Sequence, residues 1–139
     1  MLRFLFDTDH LSLLENGHPV LVSRYAAQHP NTVGTSAVTV EECLRGRLAL
    51  LSQARDGPKR ILRYGLLVGS VQLLCSLPVV SFDQASEDQF QRLLNLRIRI
   101  GTQDLKIASV ALANQLTLLT RNSGDFSWVP GLVFDDWSR

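Results

Sequence analysis

The chain opens on an apolar run, Leu2 to Phe6, that stops at Asp7, and an amphipathic pattern follows at once. This predicts a first strand that delivers an acid to its C-terminal end. A short helix from about Asp9 to Glu15 comes next, ended by Asn16-Gly17. Pro19 suits the first turn of a second helix, Val20 to Gln28, which His29-Pro30-Asn31 breaks. Thr32 to Ser36 reads as a second strand, and Thr39 as the cap of a helix running to about Arg55. Beyond the Asp56-Gly57-Pro58 break a helix covers roughly Lys59 to Cys75. It is apolar nearly all round after Tyr64, which suits either a central place in a core or a face against a partner. Pro78 to Phe82 is a third strand. Asp83 opens a helix to about Ile100, stopped by Gly101, and Thr102 caps another to Asn114. Leu116 to Thr120 is a fourth strand and Leu132 to Asp135 a fifth. Strands alternate with helices, without repeats or linkers. The expected fold is one α/β domain over 1–139, with a mainly parallel central sheet of four to five strands flanked by helices.

Composition narrows the function classes. At 139 residues, 45% hydrophobic and 19% charged, the chain can bury a real core without disulfides or a structural metal. A net charge of +1 argues against a broad nucleic-acid-coating surface and leaves a local patch open. Cys43 and Cys75 form neither a C-x-x-C pair nor a His/Cys cluster, so no zinc site and a reducing compartment are expected. The uncharged run from Tyr64 to Phe82 approaches a membrane-spanning length, but Gly65, Gly69, Ser70, Gln72, Ser76 and Pro78 interrupt it. The residues ahead of Asp7 are too few for a signal-peptide core. The expectation is a cytoplasmic protein with no membrane partner and no organic cofactor. His10, His18 and His29 lie near turns and read as surface residues.

The chemistry rests on four acids. Singly, each has a structural reading. Asp7 suits a helix cap, and Glu42 fits a capping box with Thr39. Asp104 fits a first helical turn, and Asp125 the turn-rich loop Arg121-Asn122-Ser123-Gly124-Asp125. Jointly they change the odds, because three of them follow predicted strand ends and the fourth opens the helix before a strand. In a parallel sheet such places converge on one edge. Carboxylates gathered there repel one another and raise each other's pKa. A divalent cation such as Mg²⁺ or Mn²⁺, which takes hard oxygen ligands, resolves the conflict. No phosphate-binding Gly-rich loop, Ser-His-Asp order or H-E-x-x-H motif competes for the role.

Four stretches, in order, resemble one family. They are Phe4-Leu5-Phe6-Asp7-Thr8-Asp9, Ser36-Ala37-Val38-Thr39-Val40-Glu41-Glu42-Cys43-Leu44-Arg45-Gly46, Gly101-Thr102-Gln103-Asp104-Leu105-Lys106-Ile107-Ala108, and Thr120-Arg121-Asn122-Ser123-Gly124-Asp125-Phe126. With Pro130-Gly131-Leu132 and Asp136-Trp137 behind them, the whole chain resembles the PIN-domain ribonucleases, and within them the VapC toxins of toxin–antitoxin pairs. The resemblance implies a Mg²⁺- or Mn²⁺-dependent endoribonuclease in which Asp7 and Asp104 hold the metal. Glu42 matches the family's second acid, while Glu41, one residue earlier on a helix, faces about 100° away. Asp125 fills the last acidic place, with Thr8, Thr120 and Asn122 as supporting residues. Many relatives carry Asp where this chain has Asn122, which leaves the fourth role open and favours one metal over two. The implied substrate is a structured RNA such as tRNA, cut in an exposed single-stranded loop. The implied partners are a VapB-like antitoxin and a second copy of the chain.

Two other readings compete. Asp7-Thr8-Asp9 resembles the nucleophile motif of haloacid-dehalogenase-type phosphatases, but Leu11 stands where that motif wants Thr or Val. A catalytically silent PIN-like module that only binds protein or RNA has no use for mutually repelling Asp7, Glu42 and Asp104.

Overall fold

The computed structural model describes residues 1–139. Five parallel strands form one sheet in the order β3-β2-β1-β4-β5, where β1 is Phe4–Phe6, β2 Val33–Ser36, β3 Val79–Val80, β4 Thr117–Leu119 and β5 Phe134–Asp135. Phe4 lies opposite Val33 on one side and Thr117 on the other, so the first strand of the chain is the centre of the sheet. The chain builds outward through β2 and β3, then returns past β1 to add β4 and β5. The reversal falls between β1 and β4, and a crevice opens beyond the C-terminal ends of strands at such a point.

Alternation along the central strands separates two cores. Leu5 and Leu118 point to one face, where they meet Leu93 of α5 (Gln84–Asn95), Leu105, Ile107, Ala108, Val110 and Ala111 of α6 (Thr102–Ala113), and Phe126 of α7 (Ser123–Phe126). Phe6 and Leu119 point to the other. Leu11 of α1 (Thr8–Glu15), Leu21 of α2 (Pro19–Ala26), Leu74 of α4 (Gly57–Cys75) and Trp137 cover them there. The Trp137 ring packs against Phe4 and Phe6, and Arg24 fastens the chain around it by donating to the carbonyls of Asp136 (3.1 Å) and Arg139 (3.0 Å).

Three elements differ from the sequence expectation. Helix α3 (Ala37–Ser52) is capped by Ser36, whose hydroxyl accepts from the Thr39 amide at 3.1 Å. It therefore starts earlier than a Thr39 cap would allow, Glu42 lies beyond the first turn, and the capping-box reading of Glu42 falls. Helix α5 stops at Asn95 instead of Ile100, because Arg97 adopts φ 56° and turns the chain out of the helix. The long helix α4 buries only Ser70 and Leu74, and leaves Ile61, Leu62, Tyr64, Val68 and Val71 exposed. It is thus no core helix. It packs along α3 and is tied in by Ser70, which donates to Glu15 of α1 (2.9 Å) and accepts from Arg47 of α3 (2.9 Å). No helix is long and apolar enough to cross a membrane.

Gly34 sits where β2 meets the chain entering β3. A Cβ there would lie 2.5 Å from the Pro78 carbonyl oxygen, the acceptor of the Thr35 amide. Gly34→Ala is expected to cost about 1–3 kcal/mol through overpacking against backbone, read as a lowered urea midpoint. An unchanged midpoint would show that β3 can move aside.

Candidate active site

The end of β1 places Asp7 in the crevice and makes it the cap of α1. Its Oδ1 accepts from the His10 amide at 2.7 Å, and the Thr120 hydroxyl, at the end of β4, also donates to it. The structural reading of Asp7 is therefore true, yet it does not account for the residue. A cap at a surface costs little, whereas Asp7 is 5% exposed. Burial, above all, pushes its pKa up to about 6, with Asp9 and Asp104 adding repulsion and the two hydrogen bonds opposing it.

Asp104 lies in the first turn of α6, behind Gly101, and has no basic partner. Its pKa is also raised, first by burial and then by the negative charges of Glu42 and Asp125. Asp7, Glu42, Asp104 and Asp125 thus act on one another through Asp104, although they come from four separate stretches. None of the four is paired with Arg or Lys.

Supporting contacts fix each acid. Thr8 donates to Glu42 Oε1 at 2.6 Å, and the Thr8 hydroxyl is itself 3.2 Å from that of Thr39. Glu41 is occupied elsewhere, by Arg45 and by Gln103 of α6 (2.9 Å), so the two adjacent glutamates divide between structure and crevice. Thr120 accepts from the Asn122 amide at 2.9 Å, and the Asn122 side chain donates to Asp125 Oδ2 at 3.0 Å. A carboxylate at position 122 would repel Asp125. The amide instead holds it, which gives Asn122 a role that the sequence did not reveal.

His10 corrects the sequence reading most sharply: it is fully buried, not a surface residue. The Trp137 amide donates to its Nε2 at 3.1 Å, so the neutral ring carries its proton on Nδ1, which lies 3.7 Å from Asp7 Oδ1. Burial lowers its pKa and keeps it neutral. The signal was its place beside Leu11 on the inward face of α1.

Two carboxylate groups could hold a cation. Asp7, Asp9 and His10 bring possible ligand atoms within 4.8 Å of one another. However, Asp9 is neutralised by a two-pronged bond to Arg121 (2.7 and 2.6 Å), and the His10 nitrogen nearest Asp7 bears a hydrogen rather than a lone pair. Asp7 and Asp104 have no such encumbrance. Their raised pKa values and lack of cationic neighbours are the chemistry a hard divalent ion fits.

Known proteins place this geometry in context. The PIN domain family model matches residues 5–132. Ribonuclease VapC2 of Rickettsia felis is 42% identical over 40 residues, which span 29% of this chain and 30% of that protein, so the match covers under a third of the relative's length. Among solved structures, VapBC-1 from nontypeable Haemophilus influenzae superposes with a TM-score of 0.80 at 20% identity, covering 99% of this chain and 100% of that one. DNA-bound VapBC from Salmonella typhimurium gives 0.78 at 20% identity over 99% of both chains. VapBC2 from Rickettsia felis, bound to a promoter DNA fragment, gives 0.74 at 22% identity over 98% and 99%. These superpositions show a shared fold. The family match runs from the central strand to the chain just ahead of β5 and takes in all four acids, and on that extent the chain belongs to the PIN-domain family.

Proposed function

We propose that the chain, as one domain over 1–139, is a Mg²⁺- or Mn²⁺-dependent endoribonuclease and the toxin of a VapBC-type pair in the cytoplasm. The observation that carries the proposal is a buried Asp7 with a raised pKa, facing Asp104 in a crevice where neither acid has a basic partner. Asp7 and Asp104 would hold the ion. When bound, it supplies a Lewis acid that makes water a better nucleophile and offsets charge developing on an RNA phosphate. Thr120 and the His10 amide hold the Asp7 carboxylate in one orientation. Glu42, gripped at Oε1 by Thr8, keeps Oε2 free to orient a water molecule. Asp125, steadied by Asn122, completes the acidic rim. Such supporting contacts commonly matter 10–100-fold for metal affinity or activity.

The exposed apolar stripe of α4 (Ile61, Tyr64, Val68) supports a VapB-like antitoxin partner, because a protein chain is the natural cover for apolar surface of that kind. A homodimer and a structured RNA such as tRNA complete the reading. The test is incubation of total RNA with purified protein and Mg²⁺ or Mn²⁺, beside EDTA and Asp104→Asn controls. Discrete fragments from wild type alone, lost in EDTA and reduced at least about a hundredfold in the variant, are expected. Hydrolysis of small phosphate monoesters instead would favour the phosphatase, and neither activity would leave a silent binding module.

A further inference from the structure

Beside the acids lies a second cleft, of about 590 Å³, lined by Leu96, Arg97, Ile98, Arg99, Trp128 and Pro130. It joins the loop that leads into the Asp104 helix to the turn that follows Asp125. The Trp128 amide donates to the Asp125 carbonyl at 3.1 Å, so the two residues are fixed to each other through the backbone. On either side of Trp128, Ser127 closes α7 and Val129 is buried, yet the indole itself is 74% exposed. An aromatic side chain on an anchored backbone, held out into solvent, is a poor use of a large hydrophobe unless something stacks on it. Arg97 and Arg99 are exposed, and neither is paired with an acid. Arg97 also holds φ 56°, a conformation that non-glycine residues adopt at a cost and that clusters at functional sites.

We propose that this cleft is a subsite for single-stranded RNA, in which Trp128 stacks a nucleobase and Arg97 and Arg99 hold phosphates beside the acid cluster. Aromatic faces combined with unpaired arginines are how proteins bind single strands without reading their sequence. The volume lies in the range of small-ligand clefts and suits a nucleotide. Charge selects this occupant over a second copy of the chain. A two-fold contact through this face would set two pairs of arginines together with no acid among the lining residues to offset them. The choice of RNA as the polymer rests on the ribonuclease reading; the stacking platform and the unpaired cations do not.

The structure supplies its own probe, because Trp137 is only 2% exposed and an added base can stack on Trp128 alone. A short oligo-adenylate RNA, added with EDTA so that no bond is cut, is expected to quench tryptophan fluorescence to saturation. By anisotropy of the labelled RNA, Trp128→Ala should bind about tenfold more weakly or worse, and Trp128→Phe should keep most of the affinity. Arg97→Gly, which suits the positive φ, and Arg99→Ala should each reduce the salt-dependence slope by about 0.7. Equal affinity of wild type and Trp128→Ala overturns the subsite. So does a Trp128→Ala chain that passes from dimer to monomer with its RNA affinity unchanged, which would give the cleft to a second copy. If wild type cuts no RNA yet binds the probe through Trp128, the ribonuclease reading fails and the subsite stands. If Trp128→Ala cuts with unaltered KM and binds the probe as wild type does, the subsite fails and the ribonuclease stands.

Discussion

Asp7→Asn is expected to stabilise the metal-free chain by about 3 kcal/mol at pH 7 while slowing RNA cleavage by about two orders of magnitude or more. The stability gain follows from the pKa of Asp7, raised from 3.8 to about 6. Between those values the folded chain keeps a proton that the unfolded chain has lost. Stability therefore falls as pH rises through that window, and the penalty is complete above about pH 6 and absent below about pH 4. Asparagine carries no such penalty and can still accept from the His10 amide and the Thr120 hydroxyl. Urea unfolding in EDTA should show the gain at pH 7 and its disappearance at pH 3.5. Adding Mn²⁺ should then stabilise wild type and leave the variant unmoved, because only the native carboxylate gains from binding. A variant less stable than wild type at pH 7 would mean that capping outweighs the charge at this position.

Phe126→Ala is expected to cost about 3–5 kcal/mol, the largest loss foreseen for any single truncation here. Phe126 is fully buried in the face built from Leu5, Leu118 and α6, and it is the only buried residue of the four in α7. Cutting the ring away leaves a cavity and removes the anchor of a short element that carries Asp125 before it and Trp128 after it. Phe126→Leu, which fills part of the space, should lose distinctly less. Denaturant unfolding gives the stability term, and Mn²⁺ affinity of the folded protein reports whether Asp125 has been displaced. A cost below about 1 kcal/mol would mean that neighbouring side chains collapse into the gap.

The fold was legible in sequence wherever local and tertiary signals agreed. An apolar run ending on Asp7, alternation of strands with helices, and the returns of acid near strand ends were enough to foresee a parallel sheet and one acidic edge. Errors arose where two local signals competed or where no local signal existed. Thr39 and Glu42 match a capping box, but Ser36, at the end of β2, lies three residues earlier and wins the cap because the strand delivers it there. That outcome frees Glu42 for Thr8, a contact between residues far apart in sequence. The end of α5 was hidden because Arg97 takes the conformation normally signalled by glycine. His10 looked like a surface residue because its partner, the Trp137 amide, lies at the other end of the chain. Asn122 looked like a weakened acid, and its function as the donor that steadies Asp125 depends on geometry alone.

The place of β1 at the centre of the sheet also fixes when the site can come into being. Phe4 pairs with Thr117, and Asp7 takes its last hydrogen bond from Thr120, so the first acid to leave the ribosome waits for nearly the whole chain before its surroundings exist. Translation adds about 5–20 residues per second, and contacts between distant segments form late. For several seconds the nascent chain would hold its acids apart, with Asp7 in water and ordinarily ionised. A growing polypeptide of this design is inert beside the RNA of the machine that makes it, and its chemistry is deferred to the moment of release.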